Sequence, residues 1–241
     1  MTNCSNCGYP LTGNFCSHCG QPVKLKRIDS HYIVHEIQHV LHVERGIFYT
    51  IRELLIRPGH SVKEFISQNR SRLVKPVIFI IVTSLLYSLA VHFFHVSDGY
   101  VSIHVGDGDN KVASIAIANW VQTHYGYANI IMGIFIAIWL KLFFRKSEFN
   151  FFEILILLCF VMGIGMLVLA ILAVFEGVTG LKAMQTAGMI FFFYATWAIG
   201  QFFDPRKFTG YLKAFVAYVL GMITFTLSTL LLGYIIDLVI S

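Results

Sequence analysis

Charge is what this chain has least of. Asp, Glu, Lys and Arg make up 13% of its 241 residues, where an ordinary soluble domain carries about a quarter. With 56% hydrophobic residues and a mean hydropathy of +0.70, that scarcity excludes a soluble globular class and indicates an all-α membrane protein. A secretory signal is also lacking: Met1 is followed by a polar, cysteine-bearing segment and not by a basic region leading into an apolar run, so the N-terminus is expected in the cytosol. The third absence is of ionisable residues at mid-depth. Lys141, Glu153 and Asp237 fall near the ends of apolar runs and His92 near the outer end of the first, which argues against the proton relay of a pump or ion-coupled carrier. A passive or lipid pathway stays open. The formal charge of +5 does not point to nucleic acid, because the basic residues flank apolar runs, where they orient spans and meet anionic lipid.

What the chain does have is apolar length. Residues 76–94 run from Pro76 to Phe94 without a full charge, and nineteen residues at about 1.5 Å each approach the ~30 Å hydrocarbon core. Further spans are expected at about 127–144, 151–175, 185–203 and 214–239, giving a five-span domain over 76–241. Sixteen of the eighteen Lys and Arg lie in residues 1–75 and in the 141–146 and 204–213 turns; Lys111 and Lys182 are the exceptions. Since basic residues are retained on the cytosolic side of short loops, the N-terminus is expected inside and the C-terminus outside, in a bacterial inner membrane. Between the first two spans, Val101, Ile103 and Val105 alternate ahead of Gly106-Asp107-Gly108-Asp109-Asn110, predicting a small hairpin. Two turns resemble each other, Phe143-Phe144-Arg145-Lys146 with Phe149 and Phe202-Phe203 through Arg206-Lys207 with Phe208. Two related helical hairpins after a lead span would account for them. Cys159, Gly163, Gly165, Ser84 and Ser88 read as helix-packing residues.

Residues 1–22 carry Cys4-x-x-Cys7-Gly8 and Cys16-x-x-Cys19-Gly20. Each CxxC turn aims two thiolates at one ion, and the following glycine supplies the positive φ that such a knuckle needs. Four thiolates in a reducing compartment point to a structural Zn2+ held by Cys4, Cys7, Cys16 and Cys19, with two disulfides as the alternative. So short a segment takes most of its folding free energy from the metal.

Residues 28–75 read as cytosolic or interfacial amphipathic helices. In the first, His31, His35, His39 and His42 cluster within about 80° of one another, opposite an aliphatic face of Ile33, Val34, Ile37, Val40 and Leu41. It contains His35-Glu36-Ile37-Gln38-His39, an HExxH. Two histidines at i and i+4 can hold one zinc while the glutamate activates its water, so His35, Glu36 and His39 are the candidate catalytic set. His35, His39 and His42 are a candidate second Zn2+ site without catalysis, and the third reading is a plain polar face. The motif departs from the metzincin pattern at His42 and Arg45. A second helix is predicted from Ile47 with Phe48, Ile51, Leu54 and Leu55 on one face, stopped by Pro58-Gly59. A third begins at Ser61, because Ser61-Val62-Lys63-Glu64 has capping-box form, and buries Val62, Phe65 and Ile66.

The double CxxC, the HExxH with His42, and the run from Arg45-Gly46 through Glu53-Leu54-Leu55, Arg57-Pro58-Gly59-His60 and Lys75-Pro76 together resemble an uncharacterised bacterial multi-pass membrane family headed by a zinc ribbon, domain of unknown function family 3667. The resemblance implies zinc and several spans and supplies no activity. From the residues, the function expected is a binding or scaffold module for a protein partner or anionic lipid at the cytosolic face, with membrane lipid as a constant partner and self-association left open. The alternative is a membrane zinc hydrolase.

Overall fold

The computed structural model describes residues 8–10, 13–19, 46–67, 72–94, 96 and 112–240. The chain forms two units, residues 1–44 and 45–241. In the first, Cys16 is buried and Cys19 exposed, the rings of Tyr9 and His18 stack at 5.4 Å, and Gly8 has a φ of 73°. That is the left-handed turn expected after Cys7. Cys4, Cys7, His31, His35, Glu36, His39 and His42 lie outside the described residues.

The second unit is helical throughout its described residues: α1 (Gly46–Ile56), α2 (Pro58–Ser67), α3 (Pro76–Phe94), α4 (Val112–Thr123), α5 (Tyr125–Phe143), α6 (Phe151–Thr179), α7 (Met184–Phe203) and α8 (Phe208–Ile240). Four helices, α3, α6, α7 and α8, are long and apolar enough to cross a membrane, and α5 is apolar over the shorter stretch Tyr127–Phe143. The predicted spans differ from these helices mainly at their ends. The α6 helix starts on a capping box, with the Asn150 side chain accepting from the Glu153 N–H and the Glu153 carboxylate from the Asn150 N–H, and it stops at Gly180, whose φ of 73° closes the C-cap.

Helices α5 to α8 make an antiparallel four-helix ring in chain order, α8 closing against α5. The matched residues Phe144 and Phe203, one from each related turn, stack face to face at 4.0 Å and 7°. Helix α3 stands outside the ring along α6, with Phe79 against Gly163 and Phe94 against Gly177. That ordering makes α3 and α6 parallel and puts the start of α3 level with about Phe160. The first nine or so residues of α6, roughly 13 Å, therefore reach below α3. Helix α2 packs there, Phe65 edge-on to Phe160 at 5.3 Å.

Three sequence expectations are corrected. Helix α2 begins at Pro58, not Ser61: proline is preorganised for the first helical position, and the Ser61 N–H already bonds the Arg57 carbonyl at 3.0 Å. The Ser61 and Glu64 side chains are free of capping duty and bond elsewhere. The one-face set predicted for α1 is split by the protein: Leu54 is buried and Ile51 packs against the core, whereas Phe48 and Leu55 are exposed. In the outer segment, the apolar run expected to form the second hairpin strand is helix α4, its Ser114 N–H and hydroxyl both donating to Asp237 of α8 at 3.1 and 2.6 Å; residues 97–111 lie outside the described residues.

Candidate functional site: the basic end of the bundle

Helix α1 turns Thr50 and Glu53 inward beside Leu54, while Arg52 stays exposed. Thr50, Glu53 and Leu54 are its buried residues, and each satisfies a group that would otherwise be stranded. The Thr50 hydroxyl accepts the Val74 N–H at 3.0 Å, tying α1 to the segment that enters α3. Glu53 accepts from Arg57 Nε at 2.8 Å and from the Ser61 hydroxyl at 3.2 Å. The Leu54 carbonyl accepts from the Tyr194 hydroxyl of α7 at 3.0 Å. The Arg57 hydrogen bond outweighs burial and holds the Glu53 carboxyl below the usual glutamate range, with Ser61 adding to it. A second knot lies beside it: Arg72 bonds both Glu64 and the Tyr49 hydroxyl, its guanidinium 5.5 Å from the Tyr49 ring centroid. His60 Nδ1 stands 3.8 Å from the other Glu64 oxygen.

These knots dock on the turns of the ring. The Gly59 N–H donates to Gln201 Oε1 at 3.3 Å, and a Cβ at Gly59 would lie 2.5 Å from the backbone of Gln201 and Phe202. Lys63 sits 5.7 Å from the Phe149 ring and 5.8 Å from the Phe202 ring. Lys213 lies 5.9 Å from Phe144, and Lys141 donates to the Phe149 carbonyl at 2.6 Å. One end of the bundle therefore gathers the α1–α2 collar and both basic turns around a cluster of phenylalanines. The opposite end holds acids: Glu176 accepts the Ala183 and Met184 N–H groups at 2.7 and 3.0 Å, and Asp237 holds α4.

Of the sequence-predicted site residues, Cys16 and Cys19 lie in the first unit, with the rest of both metal sets outside the described residues. No group of three metal-ligating side chains occurs among the described residues. His60, a competitor for the histidine site, is an exposed partner of Glu64. Lys141, Glu153 and Asp237 each bond a partner near a helix end. Sequence reasoning missed the inward roles of Thr50 and Glu53. The spacing of Glu53 and Arg57, four apart on one helix face, was the available signal.

The collar is also where the chain can be compared with others. Residues 44–88, spanning α1, α2 and most of α3, match the family model described as Protein of unknown function (DUF3667). The match covers the Glu53–Arg57–Ser61 knot, Gly59 and the start of the first span. No curated protein and no solved structure matches the chain.

Proposed function

We propose that this is a five-span inner-membrane protein whose cytosolic face, the α1–α2 collar with the zinc ribbon ahead of it, is a binding or scaffold module for a protein partner or anionic lipid. The observation that carries the proposal is the segregation of charge: the collar and both basic turns meet at one end of the helical ring, and Glu176 and Asp237 mark the other. Basic residues at one end set orientation and attract acidic ligands. The collar leaves Phe48, Leu55 and Ile56 exposed, an apolar area available for docking. Helix α5 supplies the fifth span: the whole helix has 19 residues, as α3 has, although its apolar stretch Tyr127–Phe143 is shorter. The alternative, a zinc hydrolase using His35, Glu36 and His39, rests on the HExxH spacing.

A complementation assay separates the two. Glu36→Gln keeps shape and removes the general base, so an enzyme would lose about 10²-fold or more of its activity, whereas a scaffold would change by within about 0.5 kcal/mol. Leu55→Asp places a charge in the docking area. The expected outcome is a functional Glu36→Gln variant and a failed Leu55→Asp variant. A dead Glu36→Gln variant that keeps its metal would make the protein a metalloenzyme.

A further inference from the structure

Helix α1 carries apolar side chains on the side away from the protein as well as on the side that packs against it. At 100° per residue, Leu55, Phe48, Arg52 and Ile56 fall within about 100° of arc, and Thr50, Glu53 and Leu54 occupy a similar arc opposite. The first arc is exposed, Phe48 at 78%, Ile56 at 59% and Leu55 at 47%, and the second is buried. The core side of the helix buries Leu54 beside Thr50 and Glu53, with Ile47, Tyr49 and Ile51 packed against the core, and its outer side still carries one aromatic and two aliphatic side chains. A second apolar arc left uncovered by the protein is suited to an apolar medium. Its height is fixed by the Thr50 to Val74 bond, which holds α1 at the start of α3, and one turn further on Val77 and Ile81 of α3 are exposed as well. Arg52 lies in the middle of the outward arc, exposed, and no carboxylate among the described residues pairs with it: Glu53 holds Arg57, Glu64 holds Arg72, and Asp204 holds Lys207. A cation framed by apolar side chains at the level where a span begins matches the boundary between acyl chains and phosphates.

We propose that the outward face of α1, Phe48, Leu55 and Ile56 around Arg52, docks anionic phospholipid, the apolar side chains among acyl chains and the guanidinium on a headgroup phosphate. This rests on the binding-module reading above and names its ligand.

The test uses the full chain carrying the photocrosslinking residue p-benzoylphenylalanine in place of Phe48, in nanodiscs of phosphatidylcholine with a minor share of phosphatidylglycerol and, separately, in cells. The expected product is a one-phospholipid adduct in both settings, with phosphatidylglycerol enriched about fivefold over its bulk share and falling to that share when Arg52→Gln is added. A protein adduct in cells in place of the lipid adduct overturns the inference while leaving the binding module standing. Equal enrichment with and without Arg52, or no adduct of either kind, overturns it as well. Should the probe disturb the collar, Phe48→Trp serves instead: its added fluorescence should be quenched by brominated phosphatidylglycerol more than by brominated phosphatidylcholine, and equal or absent quenching overturns the proposal. Loss of the binding module itself would appear separately, as a Leu55→Asp variant that complements fully.

Discussion

Two residues of the collar carry specific consequences. Gly59 touches backbone on the far side of the contact, at Gln201 and Phe202, and backbone yields less than a side chain. Gly59→Ala should destabilise the docked collar by about 1–3 kcal/mol, the range of overpacking, seen as a lower melting temperature in detergent. Gly188, with nothing near its missing Cβ, is the control, and Gly188→Ala should leave stability the same or raise it by up to about 1 kcal/mol. Glu53 makes the collar sensitive to acid. Its folded pKa lies below the ordinary value because of Arg57, so its stabilising contribution is fully present above about pH 4.3 and is lost as pH falls through the lower folded value. Protection of the amides in residues 46–75, taken relative to intrinsic exchange at each pH, should fall across that acid range, and Glu53→Gln should show the lower protection already at neutral pH without the further acid-dependent loss.

At the scale of elements, helices whose sides meet a uniform medium were legible in the sequence and those between two media were not. The runs at 76–94 and 151–175 needed only length and lack of charge, and they appear as α3 and α6 within a few residues. Helix α1 reads as an interfacial helix with Phe48, Ile51, Leu54 and Leu55 on one face, and periodicity marks such an apolar arc without saying which part of it the protein covers. Pro58-Gly59 reads as a stop and Ser61 as the start of α2, but the Ser61 N–H bonds the Arg57 carbonyl, so Ser61 lies inside a helix that begins at Pro58. The zinc ribbon is the one element whose stability is expected to come from a ligand. Cys16→Ser should release the metal and expose residues 1–27 to protease while the spans stay inserted, as read by elemental analysis and limited proteolysis; stoichiometric metal after that change would argue against a Cys4 site.

For the whole molecule, the proposed orientation rests on the gathering of Lys and Arg from the collar and both basic turns at one end of the bundle. A reporter fused at Ser241 should be active outside the cytosol and one fused within the 204–213 turn inside. The reverse at either point would remove the five-span arrangement. Boundary charges fit the thickness required: Glu153 and Glu176 are 23 residues apart on α6, and Lys213 and Asp237 are 24 apart on α8, each about 35 Å of helix, enough for a ~30 Å core with both charges in the headgroup zones.

Class, helix positions and the clustering of basic residues in particular segments were determined by the sequence alone, because hydropathy and charge are local properties that a bilayer reads directly. Which segments meet was decided only by tertiary structure. Nothing local tells Phe144 that it will stack on Phe203, or Gly59 that it must clear the backbone of Gln201. Glu53 could be read as an exposed partner of Arg57, but Ser61, the docking of α1 against α7 and the start of α3 made it buried. The direction of α1 followed from the same contacts: Thr50 and Glu53 have fixed partners on the inward side and Leu54 is buried beside them, which leaves Phe48, Leu55 and Ile56 outward.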